Sequence, residues 1–427
     1  MSVSVSKAPG LLMATMSAIS LLIVVLYRGY RARRFYRDMP GLPHSWLLGH
    51  IAILRDVTML MPPNCMPQLY YTEIALRYNL QDIFYLDFWP IGPGLIIITD
   101  PKLIEQSSDS RLLVPHPMTN TFMAPMLGED NTPSKFVFDI VSRLALNIDS
   151  YAQKERRQDL KYMRELVDLA EEEQDPRVAY NPIVQIPRRL RRHRVQILVS
   201  ERIVPSRQNP TSVLDLMLRE HVEFAIREKK CGRSNFMRLS RVDEKQFLGW
   251  TLLLGGHTTS TNTMSYLFML LSGAPHIVDK IHQEHIQQLG LNPQAKILDD
   301  PDMLLKLPYT ESVIKEALRL YPVGSRLRLG PPGATVYHQG RHLPIDNNLV
   351  IMTNAHSIHY DPRIYPQPTV LRPERWLDPA KTHPGPAYFR SFGGDERWCP
   401  GQNISMYMLK TFLVMTVGDY TFECADL

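Results

Sequence analysis

The chain has 427 residues, of which 44% are hydrophobic and 21% are charged, values that are ordinary for a globular protein with a large core. Its net charge of +5 is concentrated in five arginines between residues 28 and 38, which argues against a nucleic-acid-binding domain with its own basic stripe. The four cysteines form no C-x-x-C pair and are too scattered for a disulfide scaffold, so each must be interpreted singly.

Residues 11–27, "LLMATMSAISLLIVVLY", carry no charged side chain and have about the minimum length that crosses a bilayer. We interpret residues 1–27 as a retained membrane anchor. The alternative is a cleaved signal peptide, which normally has a shorter apolar stretch that ends in small residues. The arginines that follow place the body, residues 44–427, in the cytoplasm. Prolines then interrupt any helix, so residues 28–43 are predicted to form a basic, proline-rich hinge.

Several segments of the body have readable periodicity. Residues 80–101 contain apolar runs broken by prolines and a glycine, which predicts a short hairpin. The stretches "SKFVFDIVSRLALNI" and "KYMRELVDLAEEE" space apolar residues by three and four, as helices do. The run "RRLRRHR" is interpreted as a solvated helix face, with membrane contact as the alternative. Frequent prolines between residues 322 and 400 predict mostly turns and irregular backbone.

The longest helical pattern covers residues 242–271 and is apolar almost all round, as in a helix that passes through a core. Within it, "LLLGGHTTSTNT" combines paired glycines with hydroxyls, which lower helix propensity. Hydroxyls at such a point can bond to the carbonyl one turn earlier and bend the helix. A ligand pressed against the bend would explain it, and a packing notch is the alternative.

Three further motifs follow in order. In "KEALRLYP", Glu316 and Arg319 are three residues apart and share one helix face, although a surface ion pair would have the same spacing. Next, "VLRPERWLDP" adds Glu374 and Arg375. Then "SFGGDERWCPGQN" places Cys399 directly before Pro-Gly and a helical pattern, which favours a displayed thiolate over a buried small hydrophobe.

The order of these motifs is more specific than any one of them, and the chain resembles the cytochrome P450 family of haem-thiolate monooxygenases. The resemblance is strongest over residues 307–401, and "GGHTTST" resembles the family's oxygen-activation motif. The phrase "PGLPHSWLLGH" is most similar to membrane-bound fungal members of secondary metabolism. The resemblance implies a mainly α fold with a small β-rich lobe around one buried haem b, after an N-terminal transmembrane helix.

On the cysteine side, the resemblance makes Cys399 the axial ligand of the haem iron. A helix that begins near Gly401 would favour the thiolate through its N–H groups and dipole, and Gly401 lets backbone approach the porphyrin. Phe392 is expected near the ring. Arginines suited to the haem propionates are Arg397, and Arg326 or Arg328.

The same resemblance makes Glu316, Arg319 and Arg375 a buried charged network that holds the cysteine loop in place. Loss of one partner would leave a buried charge unpaired, at a cost of about 3–5 kcal/mol.

On the opposite side of the haem, Thr259 matches the threonine that helps to deliver protons for oxygen activation. Gly255 and Gly256 would leave room for O2 and substrate. The family usually has an acid directly before that threonine, where this chain has Thr258. A hydroxyl cannot hold charge as a carboxylate does, so His257 is a candidate for an alternative proton route.

Two other departures concern the body of the chain. Asp395 stands where the family has a glycine, and aspartate tolerates positive φ less well than glycine does. No tryptophan lies between Trp89 and Trp250, although the family has a tryptophan-bearing helix expected at about residues 120–150. The chain ends at Leu427, soon after Cys399. We therefore expect a chain that is shortened internally and at its C-terminus.

These inferences predict a monooxygenase that oxidises an apolar small molecule, with electrons from NADPH through a cytochrome P450 reductase. The reductase would dock on a basic side near Arg390, Arg397 and Lys410. The expected location is the endoplasmic reticulum membrane, single-pass, with the catalytic domain in the cytoplasm. Two alternatives stay open: a shortened relative that is inactive or binds haem without turnover, and a haem-thiolate isomerase that needs no reductase. The presence of Thr259 weighs against the isomerase, and the missing segments favour the inactive relative.

Overall fold

The computed structural model separates into two compact units, each described by itself below. The first unit comprises Met1–Pro62, Leu69–His116 and Arg326–Asn354, and the second comprises Pro63–Gln68, Pro117–Ser325 and Ala355–Leu427. The structure describes residues 8–62, 65–90, 92–108, 114–115, 241–324, 326–346, 349–377, 388–394 and 398–424. The periodic segments of residues 134–148 and 161–173, the basic run and the expected position of the tryptophan-bearing helix lie outside the described residues.

Four helices accompany the strands of the first unit: α1 (Ala8–Arg37), α2 (Ile51–Leu60), α3 (Pro67–Arg77, whose first two residues belong to the second unit) and α4 (Pro101–Ser108). Helix α1 contains the predicted apolar helix and continues through the arginines, so the irregular backbone begins only at Asp38. Among the helices in the described part of the chain, none is long and apolar enough to cross a membrane.

The first unit contains a five-stranded sheet of order β1-β2-β7-β4-β3 and a separate β5-β6 pair. The strands are β1 (Ile83–Leu86), β2 (Leu95–Ile98), β3 (Val114–Pro115), β4 (Arg326–Leu329), β5 (Thr335–His338), β6 (Arg341–Pro344) and β7 (Val350–Thr353). Strands β1 and β2 pair antiparallel, with Ile83 opposite Ile98, which confirms the predicted hairpin. Both strands are buried at every position, as their unbroken apolar sequences require.

Strands β4 to β7 were not predicted and lie within residues 326–353, although most of the described backbone between residues 322 and 400 is irregular, as predicted. Each strand has only four residues, so its alternation is too short to stand out beside the neighbouring prolines and glycines. The sequence does contain one local indication of a turn, the pair Gln339-Gly340 in "HQGR". In the structure these residues have φ of 46° and 83°, the two positive values that a tight two-residue hairpin turn needs.

The described helices of the second unit bury two apolar clusters. These helices are α5 (Arg241–Ser272), α6 (Pro275–Leu289), α7 (Pro293–Asp299), α8 (Pro308–Leu320), α9 (Ala355–His359) and α10 (Gln402–Thr416), with 3-10 turns at Pro301–Lys306 and Pro373–Trp376. The larger cluster is formed by α5, α6, α8 and α10. Helix α5 confirms the long helix predicted at residues 242–271. Leu267 of α5, Ile314 of α8 and Leu409 of α10 all lie in the larger cluster, and burying each such side chain stabilises the fold by roughly 1.5–3 kcal/mol.

A buried ion pair fastens α1 to the sheet of its own unit. The guanidinium of Arg33, which is 4% exposed, pairs with the fully buried carboxylate of Asp87 at the end of β1. It also donates to the carbonyl oxygens of Leu47 at 3.1 Å and Trp89 at 3.0 Å. The ring of His44 bonds to the same carboxylate, with 2.9 Å between Nε2 and Oδ2. The buried guanidinium of Arg33 therefore joins helix α1 to the loop after it and to the end of β1 through several acceptors.

Replacing Asp87 with asparagine should destabilise the protein by about 3–5 kcal/mol, because the amide keeps the shape but leaves the Arg33 charge unpaired in the interior. The matched control is Asp56→Asn, since Asp56 pairs with Arg55 at the surface and is 63% exposed. Surface pairs contribute about 1 kcal/mol at most. Urea unfolding followed by circular dichroism measures both variants, and equal midpoints would contradict the prediction.

Candidate active site

Helix α8 places the first two charged residues of the site. Pro308 occupies its first turn, where a missing N–H costs nothing. The carboxylate of Glu284 then accepts from the backbone N–H groups of Tyr309 at 2.6 Å and Thr310 at 2.8 Å, so it caps groups that have no partner within the helix. The start of α8 is therefore fixed, and Glu316 and Arg319 are fully buried on one face near its end.

The structure brings Glu316, Arg319 and Arg375 together. Arg319 donates from Nε to Oε2 of Glu316 at 3.0 Å and from Nη2 to Oε1 at 2.9 Å, and Arg375 donates from Nε to Oε1 at 2.9 Å. The same carboxylate accepts from the Arg372 backbone N–H at 3.1 Å and from the Trp376 indole at 2.9 Å. All its acceptor capacity is used, as a buried charge requires.

Both guanidinium groups of the network also donate to backbone carbonyl oxygens. Arg375 donates to the carbonyl oxygens of Pro366 at 3.3 Å and Gln367 at 3.4 Å, and Arg319 donates to the carbonyl oxygen of His359 at 2.8 Å. Burial lowers the pKa of Arg375, and the attraction of Glu316 opposes that effect. One carboxylate thus ties α8 to the segment that follows α9.

Glu316→Gln should lower the free energy of unfolding by about 3–5 kcal/mol, because the amide keeps the shape but leaves two buried cations without their anion. Glu374→Gln is the control. It removes a carboxylate from the 3-10 turn that carries Arg375, but the Glu374 side chain is 45% exposed and pairs with Lys280. We expect a loss below about 1 kcal/mol there. Denaturant unfolding compares the two, and a small loss in both would refute the role given to Glu316.

The cysteine loop leads directly into α10. The backbone N–H of Cys399 donates to the carbonyl oxygen of Phe392 at 2.8 Å, which closes the loop. Gly393 turns the chain with φ of +89°, a conformation that favours glycine. Helix α10 begins at Gln402, as predicted near Gly401, and no side chain caps its N-terminus. The half-buried Cys399 therefore lies beside the positive end of a helix dipole.

Gly401 and Phe392 have separate roles around this sulfur. A Cβ added to Gly401 would lie 3.8 Å from Sγ, in ordinary contact, so the glycine leaves one flank of the sulfur free of side chain. Phe392 packs against the core shared by α5, α8 and α10. Arg397 and Asp395 lie outside the described residues, and Arg326 and Arg328 belong to β4 of the first unit.

In α5, the hydroxyl of Thr259 donates to the carbonyl oxygen of Gly255 at 2.6 Å, and Thr263 repeats this bond to Thr259 at 2.8 Å. This is the back-bonding predicted from the hydroxyl cluster. A Cβ on Gly255 would meet no atom of the described residues within 4 Å, which leaves open space beside this turn in the described part of the chain. Gly256 is half-buried.

His257 does not join Thr259. Its side chain is fully buried, whereas Thr259 is half-buried, and residues two apart on a helix face different sides. The two side chains therefore lie on different sides of α5, and a proton route through His257 would be separate from the Thr259 hydroxyl.

The basic surface expected at Arg390 and Lys410 is wrong for these two residues. Arg390 is 6% exposed and Lys410 is 4% exposed. The ammonium group of Lys410 donates to Glu311 at 2.7 Å and to the carbonyl oxygen of Leu304 at 3.1 Å. The position of Lys410 on the helix after the cysteine did not reveal that its side chain would turn inward to the half-buried carboxylate of Glu311 and the carbonyl oxygen of Leu304.

His359 was not among the predicted site residues. It lies in the short helix α9, is fully buried, and bonds to both Arg319 and the start of the cysteine loop. A single histidine outside any motif gives no sequence signal of such a position.

Burial lowers the pKa of His285 and His356 to about 4 and that of His359 to about 3. An unfolded histidine titrates near ~6.5, so below that pH the unfolded chain binds protons that the folded chain excludes. Stability should therefore be full above about pH 6.5 and should fall as the pH decreases toward 4. Unfolding midpoints at pH 7.5 and pH 5 measure the decrease. It should be smaller in His285→Gln, and an unchanged decrease would contradict neutral burial of His285.

Comparison with known proteins gives a consistent result. A family model described as Cytochrome P450 matches residues 131–427. The chain is 25% identical to cytochrome P450 monooxygenase acrF of Aspergillus aculeatus, over 85% of this chain and 89% of that protein. It is 26% identical to cytochrome P450 monooxygenase ptmG of Penicillium ochrochloron, over 95% and 87%. Cytochrome P450 monooxygenase PC-23 of Penicillium crustosum is 35% identical over 37% of this chain and 79% of that protein.

The alignment with ptmG spans 481 positions, more than the 427 residues of this chain. That relative therefore contains internal segments with no counterpart here, in agreement with the expectation of internal shortening.

Proposed function

Because the chain belongs to the cytochrome P450 family and is an oxidoreductase of the monooxygenase type, we propose that it oxidises an apolar small molecule in fungal secondary metabolism, using O2 and electrons from NADPH. Family membership implies the P450 fold and a haem iron held by a cysteine thiolate. The observation that carries the proposal for this chain is the cysteine loop, which ends at the start of α10 and lies beside the core of its unit.

The residues present fit a thiolate-ligated haem at Cys399. Of the other cysteines in the described part of the chain, Cys65 also lies just before a helix, α3, but outside the motif "FGGDERWCPG", and Cys424 follows α10. Cys399 would hold the iron, with Gly401 leaving space and Phe392 giving an apolar surface. When bound, thiolate-ligated haem supplies cleavage of the O–O bond, and the protein supplies ligand, pocket and protons.

On the other side, the open space beside Gly255, next to the small Gly256, would admit O2 and part of the substrate. The Thr259 hydroxyl is held at this turn by its bond to the Gly255 carbonyl, and a hydroxyl can both accept and donate a proton there. We assign proton delivery to Thr259, and His257, which is buried on another side of α5, is proposed as an alternative proton route.

Other parts of the proposal rest on sequence alone. Arg397, and Arg326 or Arg328, are proposed for the haem propionates. A cytochrome P450 reductase is proposed as electron donor, docking on the face of the cysteine loop without Arg390 and Lys410, which are buried. The apolar run before the arginines supports residues 1–27 as an anchor in the endoplasmic reticulum membrane, with the remainder in the cytoplasm.

One observation favours a second candidate, a relative that binds haem without turnover. The segments that ptmG has and this chain lacks could include parts of the substrate pocket. Haem binding and NADPH consumption with a reductase are therefore measured separately.

The reduced carbon-monoxide difference spectrum of the full chain, expressed in membranes, tests the proposal. We expect the red-shifted Soret band of a thiolate ligand, lost in Cys399→Ala because alanine offers no ligand. The matched control is Cys424→Ala, which removes another half-buried cysteine and should keep the band. Absence of any haem signal from well-expressed wild-type protein would refute the enzyme proposal for this chain.

A further inference from the structure

The C-terminal end of α8 is held almost entirely by side chains from other segments. The last four carbonyl groups of an α-helix have no N–H partner inside it. Among the described residues, only that of Ala317 receives a backbone N–H, from Tyr321 at 2.9 Å. The next three accept from side chains: Leu318 from Ser391 at 2.8 Å, Arg319 from His359 at 3.0 Å, and Leu320 from Tyr360 at 3.2 Å.

His359 uses both nitrogens of its ring. Nδ1 lies 3.0 Å from the carbonyl oxygen of Arg319, which can only accept, so Nδ1 carries the proton. Nε2 then accepts from the backbone N–H of Arg390 at 3.0 Å. In return, the backbone carbonyl of His359 accepts from the Arg319 guanidinium at 2.8 Å. Phe389 stacks on the ring at 5.6 Å. Both bonds of the imidazole require the neutral ring, because a protonated one has no acceptor.

Arg390 opens the cysteine loop. Its carbonyl oxygen accepts from Gly393 at 3.0 Å, and the carbonyl oxygen of the intervening Phe392 accepts from Cys399 at 2.8 Å. Two short backbone bonds thus connect the residue that His359 holds to the cysteine. Ser391 attaches the same four-residue turn to α8 at a second point.

We propose that His359 is a positioning residue for the cysteine ligand: its neutral ring joins the end of α8 to the Arg390 N–H and thereby sets where the loop carries Cys399. This inference rests on the proposed function, since Cys399 is the proposed haem ligand. The charged network of Glu316 fixes α8 from one side, and His359 transmits that position to the loop.

Two substitutions distinguish a role of His359 in packing from a role through its two hydrogen bonds. Asparagine at position 359 places an amide near Nδ1, so it can donate to Arg319 but offers nothing to Arg390. Glutamine places its amide near Nε2, so its oxygen can accept from Arg390. Both substitutions remove the ring and its stacking on Phe389, so a packing role would make the two variants equivalent.

The experiment compares wild type, His359→Asn and His359→Gln as full chains. Amide hydrogen exchange of the peptide that spans Arg390 is the first readout, and it does not need haem. We expect exchange at least tenfold faster in His359→Asn and near wild type in His359→Gln. The second readout is the fraction of bound haem with the red-shifted carbon-monoxide band, which should fall in His359→Asn and be largely retained in His359→Gln.

Equal exchange in the two variants would overturn the positioning role, whether both match wild type or both are faster. Loss of the band in both variants, with the wild-type band intact, would also overturn it. Failure of the proposed function has a separate signature, since the wild type itself would then lack the band. In that case hydrogen exchange alone still decides whether His359 holds the loop.

Discussion

The burial of one carboxylate between two guanidinium groups is the constraint on which the second unit depends. Moving three charges out of water is costly, and buried ion pairs often add little net stability. The arrangement is tolerated because Glu316 accepts from Arg319, Arg375, the Arg372 backbone and the Trp376 indole. We infer that its main contribution is specificity, because any other placement of these segments would leave a buried charge unpaired.

That constraint reaches the cysteine through the end of α8. The carboxylate fixes the helix, the helix presents three carbonyl groups that need donors, and two of those donors, His359 and Ser391, belong to or bind the cysteine loop. The loop then enters α10, whose apolar face packs into the core that contains α8. The cysteine is therefore located by hydrogen bonds on one side and by hydrophobic burial on the other.

Much of this architecture could be predicted from sequence where the signal was local. The long apolar helix, the hairpin before residue 101 and the order of motifs around Cys399 all follow from spacing along the chain. The strands at residues 326–353 were missed because four residues carry too little alternation. The burial of Lys410 depends on Glu311, almost a hundred residues earlier, and the position of His359 depends on Arg319 and Arg390. Periodicity contains no information about such distant pairs.

The departures from the family pattern bear differently on two properties of the protein, namely haem ligation and turnover of a substrate. Among the described parts that would hold the haem on the cysteine side, α8 and α9 are largely buried, and hydrogen bonds join them to the half-buried cysteine loop before α10. One departure, Asp395, lies in the cysteine loop itself and outside the described residues, whereas Thr258 replaces an acid on the opposite side, and relatives contain segments that this chain lacks. Ligation depends on the first set of residues, whereas proton delivery and substrate contact depend on the second. A chain of this kind can therefore keep the haem-thiolate centre of its family while differing from its relatives in what it oxidises and how efficiently it does so.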